Sequence, residues 1–295
     1  MPTDLGPLAV DDAAPDAGFR HRRGFGIGGA LASTWMALAL AMAVAPGIFP
    51  VPALTERSRD ALVADRFGPQ PGHWLGVDSN GFDMAAKVVH GARASLLVGV
   101  GAMIVGLLLG GTLGLLAGYF RGRTDAVVST VFDFMLAFPQ LVLALTLVTV
   151  FATSAQSEEV AYGQRVAVVT LAIGVASVPV LGRIARAATL TWAQREFVVA
   201  ARSGGATSLR IIVREILPNV APTLLSVVLL GIGVVIVVEG GLALLGLGVP
   251  PSVDSPSWGN LIATLRSQLF LGRPWGVFAP SIAVFLTVLS LNVLG

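Results

Sequence analysis

The sequence predicts an all-α integral membrane protein with six transmembrane helices, and three observations predict it. Only 12% of the 295 residues are charged and 55% are hydrophobic, where a soluble domain carries about 25% charge. The mean hydropathy of +0.81 leaves a chain of 30.4 kDa without the polar surface it would need in water. Apolar runs near the roughly 20 residues that cross a bilayer recur along the chain. Together these exclude a soluble enzyme, and they exclude disorder over most of the length.

Charge and cysteine usage narrow the function classes. The net charge is +2, and the 19 basic residues include a single lysine, Lys87, so no polybasic surface suited to nucleic acid is present. Cysteine is absent, which removes disulfide frameworks, thiol nucleophiles, zinc fingers and iron–sulfur clusters together.

The elements follow in order. Residues 1–24 form a polar tail with acidic and proline residues, expected to be disordered and cytoplasmic, and they end on Arg20, His21, Arg22 and Arg23. Residues 25–49 read as the first transmembrane helix. A cleaved signal peptide competes, since Ala43-Val44-Ala45 has a small-x-small form, but the run exceeds a usual signal core and Pro46 sits where cleavage would fall. Residues 50–93 read as an extracytoplasmic segment. Five more spans lie near 94–118, 126–152, 166–181, 222–247 and 277–295. In hydrocarbon each must satisfy its own backbone hydrogen bonds, so all are expected to be helices, with Pro139 and Pro179 as bends.

Arginine sets the expected orientation. Arg121 and Arg123 in one short loop, and Arg183, Arg186, Arg195, Arg202, Arg210 and Arg214 in another, lie an even number of crossings from the N-terminal cluster. The loop 153–164 carries Glu158 and Glu159 and no basic residue. Both termini are therefore expected on the cytoplasmic side, although five basic residues in 50–93 weaken the asymmetry.

Enzyme motifs fail on inspection. Gly24-Phe25-Gly26-Ile27-Gly28-Gly29 matches G-x-G-x-x-G, but it follows an arginine cluster and opens a membrane helix, where a dinucleotide site needs a strand and a βαβ unit. Lys87 is followed by Val88, so there is no Walker A of the chain's own. The three histidines have no metal-ligand spacing, and G-x-S-x-G is absent. The expectation is a non-enzyme without a cofactor or metal.

Two features inside the spans stand out. Ala102, Gly106, Gly110, Gly114 and Gly118 recur every four residues, a small-residue stripe that suits close helix packing in lipid. Asp133 and Glu239 are acids at lipid depth, expected to face the bundle, a partner or water, either along a path or as structural hydrogen bonders.

Residues 183–218 are too polar to cross and too apolar to float free, so they are expected to lie against another surface. Within them Glu196-Phe197-Val198-Val199-Ala200-Ala201-Arg202-Ser203-Gly204-Gly205 forms a short helix with a small-residue face that ends at the glycines, and Leu217-Pro218 follows, with Pro218 suiting a turn into the next span. This order resembles the EAA motif of ABC importer permeases, with Val199 where the strict form has glutamate.

Three further blocks are similar to the dipeptide, oligopeptide and nickel branch of that family, and to its C-type subunit. They are Trp74 to Asp83 with Gly91-Ala92-Arg93-Ala94-Ser95-Leu96; Ala117-Gly118-Tyr119, Asp125 and Asp133 with Leu136-Ala137-Phe138-Pro139; and Glu239, then Leu244 to Pro250-Pro251, Pro256-Ser257-Trp258-Gly259 and Pro274-Trp275. Phe82 and Arg121-Gly122 depart from the family's Gly-Arg-Asp and Gly-Gly. The chain also stops at Gly295 in apolar sequence, where the family continues into a short polar tail.

The resemblance implies a type I ABC importer permease fold over 94–295, with a cytoplasmic coupling loop at 183–218 and an extracytoplasmic loop at 248–276. It implies a multi-pass subunit of the bacterial plasma membrane that imports short peptides. Its partners would be a second related permease, two ATP-binding subunits holding ATP and Mg, and an extracytoplasmic solute-binding protein. Glu196, Ala200, Ala201, Gly204, Gly205, Leu217 and Pro218 would couple to an ATPase. Pro250, Pro251, Pro256, Ser257, Trp258 and Gly259 would project from the extracytoplasmic loop, unless that loop is only a rigid connector. Nickel or another solute, and a stand-alone proton-coupled carrier using Asp133 and Glu239, are the alternatives; a membrane scaffold would leave the arginine-rich loop unexplained.

Overall fold

A computed structural model describes residues 26–63, 67–153, 162–249 and 256–295. The whole 1–24 tail with its basic cluster Arg20 to Arg23, Glu158, Glu159, Pro250 and Pro251 lie outside the described residues, as does the start of the G-x-G-x-x-G stretch.

Helices account for every described crossing. The first is α1 (Ile27–Val44). A short helix, α2 (Arg59–Val63), precedes α3 (Met84–Gly106). α3 continues through a π turn, Leu107–Gly111, into α4 (Thr112–Phe120), so the second span is one helical run of 37 residues. It begins ten residues before the expected start, because Lys87, His90 and Arg93 dilute the hydropathy without opposing helix. Asp83 caps it, its side chain accepting from the Ala86 N–H at 2.7 Å.

The third crossing departs from a single rod. α5 (Gly122–Leu136) and α6 (Gln140–Thr153) meet at 92°. Pro139 has no N–H to donate back into the helix, and its ring disfavours helical backbone at Phe138, so the helix stops and turns there.

α7 (Tyr162–Trp192) carries Pro179 in its interior and extends eleven residues past the expected end, because its alanine and arginine tail favours helix. Next come α8 (Glu196–Ser203) and α9 (Ser208–Ile211). A π turn, Ile212–Ile216, leads into α10 (Leu217–Leu244). The turn expected at Pro218 is therefore absent: the chain stays helical, and the π turn just before the proline absorbs the lost hydrogen bond. α11 (Trp258–Leu265), α12 (Ser267–Phe270) and α13 (Trp275–Leu294) complete the chain.

The main apolar core joins α1, α3, α6, α7, α10, α11 and α13, and it includes Val98, Ile173, Ile236, Leu242 and Trp258. A second cluster of Leu115, Ala185, Val198, Ile211, Ile216, Val220 and Leu224 seals the end that carries α8. The opposite end carries α11 and the 67–83 segment. There Asp78 accepts from the Asn80 and Phe82 amides at 2.8 and 2.9 Å and pairs with Lys87.

Candidate functional site

The glycine stripe of α3–α4 lies against α7. A methyl group placed on Gly106 would come within 2.9 Å of Leu181 Cδ1 and 3.3 Å of the Gly174 carbonyl. On Gly110 it would sit on the Val178 carbonyl, and on Gly114 on the Gly182 carbonyl. On Gly118 it would approach Thr189 Cβ to 2.7 Å and the Arg186 carbonyl to 2.8 Å. Backbone meets backbone at three successive levels, Gly110, Gly114 and Gly118, which only glycine permits, and Gly106 packs against Leu181 and the Gly174 carbonyl above them.

α7 hands over to α8 through residues 193–195. Glu196 in the first turn of α8 and Arg202 in the last oppose the helix dipole favourably. Past Ser203 the chain reverses, with the Ala206 amide donating to the Ala201 carbonyl at 3.1 Å and Gly205 at φ 80°, a left-handed conformation that glycine adopts without strain. Only Val198 of α8 is buried, and it enters the second apolar cluster. Glu196, Ala200, Gly204 and Gly205 are exposed, Ala201 is half-buried, and the Arg202 guanidinium lies 5.6 Å from the centre of the Tyr119 ring at the end of α4. Leu217 is half-buried and Pro218 exposed, one π turn away on the run into α10. The sequence reading named Val198 and Tyr119 within their motifs but not as the anchor of α8, because nothing local marks that role.

The two acids do not meet. Asp133 is exposed on α5 and takes an ion pair from Arg183 of α7. Glu239, near the end of α10, is 1% exposed. Its Oε1 accepts from the Ser257 hydroxyl at 2.9 Å, and its Oε2 has no hydrogen-bond partner.

The α11 end corrects one expectation. Residues 256–259 do not project; Pro256, Ser257, Trp258 and Gly259 are all buried, with Trp258 0% exposed. Trp258 donates through its backbone amide to Ser95 Oγ at 2.9 Å and through Nε1 to the Val88 carbonyl at 2.8 Å. A methyl on Gly91 would come within 3.0 Å of the Trp258 ring, and one on Gly259 would fall on Glu239 Oε2. The stretch 91–96, the acid of α10 and the turn before α11 are thus three parts of one joint. The aromatic ring and the serine need an interior to satisfy their polar atoms, and α3 and α10 supply it.

Among the described residues no group of three or more His, Cys, Asp or Glu could hold a metal ion. The arrangement is a membrane bundle with a small helix offered outward at one end.

Comparison with known proteins fits that description. Over 228 residues the chain is 36% identical to the glutathione transport system permease protein GsiD of Pectobacterium atrosepticum, covering 77% of this chain and 71% of that one. It is 36% identical to the dipeptide transport system permease protein DppC of Alkalihalophilus pseudofirmus, covering 77% and 70%. It is 37% identical to GsiD of Escherichia coli O6:K15:H31, covering 77% and 71%. Residues 110–295 match the family described as binding-protein-dependent transport system inner membrane component. With its type I importer permease fold, its stacked glycines and its outward helix, the chain belongs to that family.

Proposed function

We propose that this chain is the membrane-spanning permease subunit of an ATP-driven importer of short peptides. It forms half of the translocation path and engages a cytoplasmic ATPase through α8. The names of the relatives support the substrate class, since a dipeptide and glutathione are both short peptides. The partners would be a second related permease, two ATP-binding subunits that hold ATP and Mg, and an extracytoplasmic solute-binding protein, with the α8 end and the N-terminus facing the cytoplasm. ATP and Mg act on the partners, and this chain supplies path and coupling without catalysis of its own.

The observation that carries the reading is the outward face of α8. Ala200, Gly204 and Gly205 are exposed, small and set just past the end of α7, so a groove that closes on them draws on α7 through residues 193–195. Coupling then follows from differential binding: ATP shifts the assembly only if its subunits bind it better in one arrangement.

Ala200 is the cleanest probe, since Ala201 is half-buried and Gly205 sits at positive φ, so changes there would disturb the chain itself. In the purified complex, Ala200→Trp is expected to abolish the stimulation of ATP hydrolysis by peptide-loaded binding protein while the subunits still copurify. Peptide uptake at the parent rate by this variant would remove the docking claim.

A further inference from the structure

α5 is a thinly attached helix. Phe132 is the one buried residue on it, and its ring sits in a notch at Gly182 of α7, where a methyl group would overlap it. Val127, Val131 and Phe134 are exposed. What else holds α5 to α7 is ionic. Asp133 pairs with Arg183 beside the notch, and Asp125 takes a two-pronged bond from Arg186, through Nε and through Nη2 at 2.6 Å. The Ser129 hydroxyl donates to the same carboxylate at 3.2 Å.

The spacing of these pairs carries geometric information. Asp125 and Asp133 are eight residues apart, about 12 Å along a helix, whereas Arg183 and Arg186 are three apart, about 4.5 Å. The reach of the arginine side chains and an oblique crossing of α5 over α7 together close both pairs. The Phe132 notch and the Asp133–Arg183 pair act at nearly one point and leave α5 free to rotate about it. The Asp125–Arg186 pair, two turns away, removes that freedom. Past the 92° bend the chain enters α6, which the main core holds through Ala144 and Val148, so α5 is the movable arm of the pair. Arg186 in turn stands six residues before the end of α7, which leads into α8.

We propose that Asp125 and Arg186 are a positioning pair for transport: they set the crossing angle of α5 and pass a displacement of the α8 end on to α5. This rests on the reading that α8 engages an ATPase. A bidentate guanidinium–carboxylate pair suits the task, because it fixes direction as well as distance.

The test uses the complete complex reconstituted in vesicles, with ATP hydrolysed per peptide imported as the readout. A pair that served only to stabilise the chain would change how much complex assembles and leave that ratio alone. Asp125→Asn and Arg186→Asp are each expected to raise the ratio about fivefold or more, and the exchange Asp125→Arg with Arg186→Asp to bring it back to the parent value. If Ala200→Trp uncouples the complex while Asp125→Asn keeps the parent ratio, the pair has no positioning role and the docking reading stands. If Ala200→Trp stays coupled, the docking reading has failed and takes this proposal with it. Should single variants assemble poorly, the exchanged pair decides alone: assembly without restored coupling overturns the proposal.

Discussion

The two ends of the bundle use short helices in opposite ways. α11 is sunk into the protein, its first residue wholly covered and bonded to Ser95 and Val88 of α3 across 163 and 170 residues of sequence, while the capping Ser257 holds Glu239 of α10. α8 is perched, with Val198 inside and Phe197, Val199 and Ala200 outside. A buried polar joint holds one arrangement, because any other leaves donors and acceptors unpaired in a poor dielectric. A helix with only Val198 fully buried, and Arg202 resting on Tyr119, can be gripped from outside. Rigidity is concentrated where this chain meets itself, and access where it offers itself to something else.

That contrast breaks first at Trp258. Trp258→Ala removes the largest fully buried side chain and is expected to cost about 3–5 kcal/mol, read as a lower thermal midpoint of the purified protein in detergent. An unchanged midpoint would mean that α11 is a loose cover and not part of the bundle. Ser257→Ala is gentler: it leaves Glu239 Oε1 and the Asn260 amide without the hydroxyl they share, at a cost of about 1–3 kcal/mol. Glycine at 257 would add backbone freedom and blur the result, so alanine is the change to make. The smallest effect belongs to the other end. Ala200→Trp is expected to move stability by no more than about 0.5 kcal/mol even though it disrupts coupling. A loss as large as that of Ser257→Ala would place α8 in the core and erase the distinction.

Local signals made the crossings legible. Hydropathy and the four-residue glycine spacing are read over one or two turns, and the structure sets Gly106, Gly110, Gly114 and Gly118 on α7 with no room for a side chain. Span ends were less legible, since Lys87 and the arginines of α7 change the solvent preference of a segment without changing its helical preference. The buried joint at Trp258 was hidden for a different reason. Gly91, Ser95, Glu239 and Trp258 each stood out, but nothing in a linear pattern says that residues so far apart share one cavity. The role of Asp133 was similarly obscured: an acid at lipid depth announces that it needs a partner, and not that the partner is Arg183.

The meshing of α3–α4 with α7 also limits how this protein can change shape. A glycine that clears a carbonyl at one level strikes a side chain if either helix slides by a fraction of a turn, so the two can shift past one another only in four-residue steps of about 6 Å. Like a rack with its teeth engaged, they travel together. Alternation in the subunit is then taken up at the joints flanking that block, at Arg121-Gly122 between α4 and α5 and at residues 193–195.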